Sequence, residues 1–137
     1  MDDPLLLLPG YLLRRASAAS LAELNQRLAV LNLHHTDVSL LLLIGANPGI
    51  TQSEAGRSLG IQRANMVAFI NRLVAPGLIE RRQVDGRSQG ISLSVLGEDV
   101  TNRARILIEA YEAQLLERVP SHLQQHVSPI LHYLWKG

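Results

Sequence analysis

Residues 51–97 read TQSEAGRSLGIQRANMVAFINRLVAPGLIERRQVDGRSQGISLSVLG, and the order of local signals within them decides the fold. A first helix opens at Thr51 or Gln52 and stops at Gly60. A second runs from about Gln62 to Ala75 and is ended by Pro76-Gly77, since proline cannot continue a helix and glycine favours its C-terminal cap. LIERRQV and ISLSV then alternate in the manner of strands around the turn DGRSQG. Two helices joined by a tight turn and followed by a β-ribbon make a unit suited to duplex DNA. A helix fits the major groove, and an arginine on the ribbon reaches phosphate or the minor groove beside it.

Within the second helix, Met66, Phe69, Ile70 and Leu73 stand at i, i+3, i+4 and i+7 and define a buried stripe. The opposite face carries Gln62, Arg63, Asn65, Val67, Ala68, Asn71 and Arg72. Gln62, Arg63 and Asn65 open the helix with side chains able to bond base edges, arginine to guanine and the amides to adenine. Val67 and Ala68 can touch thymine methyls. In the first helix, Thr51 and Glu54 form a capping box, with Ser53 beside it, and the same N-terminus can receive a DNA phosphate. In the ribbon turn, Gly86 and Gly90 permit positive φ. Arg87, next to Ser88, is the expected phosphate or minor-groove contact, with Asp85 fixing the loop by pairing with Arg81, Arg82 or Arg87. The expected DNA-binding set is therefore Thr51, Ser53, Gln62, Arg63, Asn65, Arg72, Arg82, Asp85, Arg87 and Ser88.

Charge supports that placement. The net charge of the 137-residue chain is only +1. Yet Thr51–Gly90 holds six arginines against Glu54, Glu80 and Asp85, a local +3, while the remainder is −2. Positive charge is concentrated where phosphate would be met. All the cations but Lys136 are arginine, the residue suited to bidentate contacts.

Outward from this unit the chain reads as helices. Leu5 to about Leu31 carries apolar residues at steps of three and four, with the helix able to begin after Pro9-Gly10. A second helix, capped by Thr36 or Asp37, runs to Gly45, and Pro48-Gly49 is a turn. Ser94 caps a long helix from about Val95 to Arg118, and a last helix covers about His122 to Trp135. The fold class expected is mainly α with a small β-wing, as one domain over residues 1–137. Its winged helix-turn-helix head would be 36–97, and its dimerisation helices 1–35 and 98–137. The terminal helices are too apolar for a lone monomer, which implies a symmetric homodimer presenting two heads to half-sites ~34 Å apart.

Absence of cysteine excludes disulfides, cysteine nucleophiles and thiolate metal sites, and fits a reducing compartment. Met1-Asp2-Asp3 is acidic where a secretion signal would be basic, and Val38–Ala46 is far short of the ~20 apolar residues that span a bilayer. A cytoplasmic protein without membrane contact is expected.

The order of elements, with LVAPGLIERR leading into DGRSQGISLSVLG, resembles the MarR family of winged helix-turn-helix regulators over essentially the whole chain. The matching positions are Gly77, Leu78, Ile79 and Arg81, then Asp85 and Arg87, then Leu93, Ser94 and Gly97. The resemblance implies a homodimeric transcription factor, usually a repressor of a pseudo-palindromic operator, often released by a small aromatic acid or related ligand. It implies that Arg87 is the wing-tip contact and Asp85 its orienting partner, with Gln62, Arg63 and Asn65 at the base-reading start of the recognition helix. Val67 and Ala68 depart from the threonine and arginine common midway along that helix, which leaves the operator open.

A ligand pocket between the head and the dimerisation helices would draw its polar lining from Tyr11, Arg14, Arg15, His34, His35 and Tyr111, an arginine meeting the ligand carboxylate. His122 and His126 have metal-ligand spacing but read more simply as surface residues, so neither metal nor cofactor is expected. No catalytic constellation is visible. The alternatives are a winged-helix module for protein–protein assembly and a DNA-binding regulator that senses no ligand; Arg87 and the basic head weigh against the first.

Overall fold

The computed structural model describes residues 1–83, 85–86 and 89–136. A 3-10 turn at Pro4–Leu7 precedes α1 (Pro9–Leu28), which begins on a proline whose fixed φ suits the first helical position. The end of α1 tightens into a 3-10 turn at Ala29–Leu31, closed by Asn32 in the left-handed region (φ 56°). α2 (His35–Ala46) is followed by a short strand β1 (Ile50–Thr51), α3 (Gln52–Leu59) and α4 (Arg63–Val74). Strands β2 (Ile79–Gln83) and β3 (Gln89–Leu93) form the wing, and α5 (Val95–Glu117) and α6 (Ser121–Lys136) complete the chain. The fold is mainly helical with a small antiparallel sheet, as the sequence predicts.

α2 is the hub. Its segment VSLLLLIG is apolar on nearly every side, so it is surrounded: it packs against α1, α3, α4, α5 and β3. Val38, Leu40, Leu41 and Ile44 are buried there with Leu28, Ala55, Met66, Ile70, Leu73, Ile79, Ile91 and Ala104. The expected stripe on α4 is present, with Met66, Ile70 and Leu73 buried and Phe69 partly so.

Local signals placed most boundaries, with three differences. The N-cap of α2 is His34, not Thr36 or Asp37. Asp37 lies at the third helical position, and its carboxylate accepts the His34 backbone N–H at 2.8 Å. β1 was not expected; two residues give no periodicity, and the strand exists because Ile50 and Thr51 pair with Ile91 and Gly90. The sheet order is β1-β3-β2, which ties the start of α3 to the wing. Third, β3 begins at Gln89 rather than Ile91, and Ser94 lies beyond it as the N-cap of α5, accepting the Gly97 N–H at 2.9 Å.

The base of the wing is knotted to α5. The Ser94 N–H donates to the Leu78 carbonyl at 3.0 Å, and its hydroxyl donates to the Gly77 carbonyl. α5 approaches so closely that a β-carbon on Gly97 would overlap the Leu78 carbonyl.

α6 has no buried residue. Leu123, Ile130, Leu131, Leu134 and Trp135 are all exposed on it, Trp135 at 73%. The N-terminal Leu5, Leu6, Leu7, Leu8, Leu12 and Leu13 are exposed too. Among the described residues no single helix is long and apolar enough to cross a membrane.

Candidate nucleic-acid interface

Three backbone features converge on one surface: the N-terminus of α3, the N-terminus of α4 and one face of the wing. α3 starts with the expected capping box. The Thr51 hydroxyl accepts the Glu54 N–H at 3.2 Å, and the Glu54 carboxylate accepts both the Thr51 N–H and its hydroxyl at 2.9 Å. The Thr51 backbone hydrogen bond, then its hydroxyl, hold the Glu54 carboxyl below the usual carboxylate value. The acid is thereby turned onto its own helix end. α3 stops at Gly60, whose φ of 66° allows the tight turn into α4. At that turn α3 and α4 are so close that a β-carbon on Gly56 would crowd Met66 and the Ile61 carbonyl.

The close crossing leaves a cleft of about 450 Å³ lined by Gln52, Ser53, Gly56, Arg57, Ile61, Arg63 and Met66. A second, of about 390 Å³, is lined by Thr51, Gln52, Ser53, Arg63, Arg81, Gln89 and Ile91. Arg63 borders both. Thr51, Ser53 and Arg63 are thus gathered on one surface, and Gln62 and Asn65, both exposed, flank Arg63 on the first turn of α4. Val67 is exposed one turn further along. Donors from two helix starts and two arginines facing a common concavity suit an anionic, ribbon-like partner.

The two arginines of β2 part company. Arg81 shares the face of the buried Ile79, stands opposite Ile91, and donates to the Asn71 amide oxygen of α4 at 3.3 Å. Arg82 alternates to the other face, where it pairs with Glu80 at 3.5 Å. There it borders a third cleft with Ile44, Gly45, Pro48, Ser92, Leu93 and α5 residues. The expected set thus included Arg82 and omitted Arg81, Gln52 and Arg57, although of the two β2 arginines Arg81 is the one on the Arg63 side. The signal was present: residues two apart share a strand face, and Ile79 is the residue that must point inward.

Arg72 stands apart from this group. Its guanidinium is drawn to α2, where Nη2 donates to the buried Asp37 carboxylate at 3.0 Å. It does not stand with Gln62, Arg63 and Asn65. Asp85 is exposed; Arg87 and Ser88 lie outside the described residues.

The six expected ligand-pocket residues do not form one group. The Tyr111 ring is buried between α1 and α5, and its hydroxyl is engaged by the Ser20 hydroxyl and carbonyl. Arg27 lies over that ring at 5.2 Å from its centroid, and Tyr111 is buried in the single chain. Arg15 donates to the Tyr11 hydroxyl at 3.3 Å, and Arg14 is exposed beside them. His35 bonds Asn25 through its N–H at 2.8 Å, and exposed His34 sits at the bend between α1 and α2. The three clefts above are lined by other residues. His122 and His126 are exposed on α6.

The sequence profile of the MarR family (MarR_2) matches residues 31–88. The HTH-type transcriptional repressor Rv2887 of Mycobacterium tuberculosis is 27% identical over 135 residues, covering 97% of this chain and 94% of that protein. Its solved complex with salicylic acid is similar with a TM-score of 0.73 at 26% identity, covering 97% of each chain. The transcriptional repressor CouR bound to a 23-mer DNA duplex is similar with a TM-score of 0.90 at 32% identity, covering 95% of this chain and 94% of that one. CouR bound to p-coumaroyl-CoA gives 0.89 at 30% identity, covering 98% and 96%.

Proposed function

This chain belongs to the MarR family, and on that premise we propose that it is a homodimeric repressor that binds a pseudo-palindromic operator and releases it on binding a small aromatic acid or its thioester. The observation that carries the DNA reading is Arg63. It borders both clefts, which join the start of α3, the start of α4 and the Arg81 face of the wing in one surface. Gln62, Arg63 and Asn65 read base edges in the major groove. Thr51, Ser53 and Arg81 meet phosphates, Arg82 serves the other wing face, and Arg87, with Asp85 and Ser88, takes the minor groove or flanking phosphate. Likeness to a repressor solved on DNA supports this assignment.

Dimerisation is the reading that accounts for α6. A 16-residue helix with no buried residue and several exposed leucines is costly in water unless a partner covers it. A second copy supplies matching N- and C-terminal helices by symmetry. Tyr11, Arg14, Arg15, His34 and His35 lie on or beside α1, where two subunits and the heads would meet, and an arginine there pairs with a ligand carboxylate. Tyr111 contributes by packing.

The test is fluorescence-anisotropy binding to the DNA upstream of the protein's own coding region, against scrambled duplex at two salt concentrations, with mass measured by sedimentation. A dimer with saturable, sequence-selective, salt-sensitive binding, weakened by salicylate or p-coumaroyl-CoA, is the expected result. A monomer, or binding indifferent to sequence, would refute the proposal.

A further inference from the structure

The Asp37 carboxylate is 2% exposed, and one of its oxygens, Oδ2, receives two donors from different parts of the chain. The His34 N–H reaches it from the α1–α2 bend at 2.8 Å, and Arg72 Nη2 reaches it from the last turn of α4 at 3.0 Å. The other oxygen, Oδ1, is buried with no partner among the described residues. A carboxylate buried with half its capacity unmet is an expensive way to gain stability, because its desolvation offsets much of the ion-pair attraction. What such a pair does supply is direction. Elsewhere α4 is held by the buried Met66, Ile70 and Leu73, whose apolar contacts are non-directional, and by the Asn71 amide oxygen, which accepts from Arg81 and so ties the helix to the wing rather than to α2.

We infer that the Asp37–Arg72 ion pair is a positioning device for the recognition helix, fixing the tilt of α4 on the α2 hub so that its first turn meets base edges in register. This rests on the proposed DNA-reading role of α4. Arg72 lies nine residues beyond Arg63, about 13 Å along the axis. A tilt of about 5° would move the reading end by about 1 Å, enough to take base contacts outside hydrogen-bonding range. Arg72 is then not itself a DNA contact, and Asp37, an acid in a basic head, favours binding through geometry.

That sign makes the inference testable. Asp37→Asn keeps an oxygen for the His34 N–H and removes only the charge. Electrostatics alone would make this variant bind all DNA more tightly. The probe is the duplex that wild type selects from a random-sequence pool, compared with random duplex. Asp37→Asn is expected to weaken binding to the selected duplex at least fivefold, with random duplex bound as well as or better than by wild type, so that the preference between them falls. Arg72→Gln should do the same with an unchanged salt slope, Arg72→Lys should restore most of the preference, and the double variant should be no worse than either single one. Thermal melting accompanies each measurement. Should Asp37→Asn fail to fold, the half-exposed Arg72 variants decide alone. Tighter binding of both duplexes by Asp37→Asn would overturn the inference. So would a loss on both by Arg72→Gln with a salt slope shallower by about 0.9, the mark of a phosphate contact. A wild type that selects no duplex would defeat the DNA reading itself; a discriminating wild type matched by Asp37→Asn would defeat this inference alone.

Discussion

Replacing Gly97 with alanine separates local from tertiary control of this fold. Gly97 lies in the first turn of α5, and helix propensity by itself favours alanine over glycine by up to about 1 kcal/mol. The structure gives the opposite sign. An added β-carbon would overlap the backbone carbonyl of Leu78, which no rotamer change can relieve. Relief requires moving the start of α5 away from the wing base, which strains the Ser94 N–H bond to the Leu78 carbonyl and the Ser94 cap on Gly97. Overpacking typically costs 1–3 kcal/mol, and a backbone collision belongs at the upper end, so about 3 kcal/mol is expected. For a chain of this length that corresponds to a fall in Tm of about 10 °C. The control is Gly10→Ala in α1, where the new carbon would meet only Arg14 Nη1 at an ordinary 3.6 Å and stability should hold or rise slightly. Both variants are melted at one protein concentration, followed by circular dichroism, because an associating protein's Tm depends on concentration. A Gly97→Ala protein melting at or above wild type would refute the close-approach argument.

Three further outcomes are expected. Arg87→Ala should weaken operator binding at least tenfold with the dimer intact, and equal affinity for wild type and variant would remove Arg87 from the mechanism. Arg63→Ala should relax the preference at one base pair by ~1–3 kcal/mol, read from a panel of single-base operator variants; an unchanged panel would count against its base-reading role. Glu23 is held below its ordinary value of 4.5, first by the hydrogen bond from Arg118 and then by the charges of Arg118 and Arg27. A depressed carboxyl stabilises the fold above 4.5 and loses that contribution as pH falls through the folded-state value. Glu23→Gln should therefore melt below wild type at neutral pH, with the gap closing in acid, and a gap constant down the acid limb would contradict the pairing.

The residues legible in sequence are those governed by neighbours three or four positions away. The Met66, Ile70 and Leu73 stripe, the Thr51–Glu54 box and the Ser94 cap are consequences of 3.6-residue periodicity and of unpaired groups at helix ends. They sufficed to expect the head, the wing and the reading face of α4, and the clustering of arginine in the same segment pointed to its partner. What was not legible depends on contacts between distant segments. Arg72 reads as one more cation on an exposed face until α2 brings Asp37, 35 positions earlier, beside it. The burial of Tyr111 arises only when Ser20, 91 positions away, takes its hydroxyl. Two-residue β1 exists only because β3 pairs with it. Local patterning determined which segments become helix or strand and which faces seek cover, since those preferences act within a turn or a pleat. Tertiary packing alone decided which polar group answers which, and how closely α5 meets Leu78, since burial and hydrogen-bond geometry are settled only when remote segments share the same space.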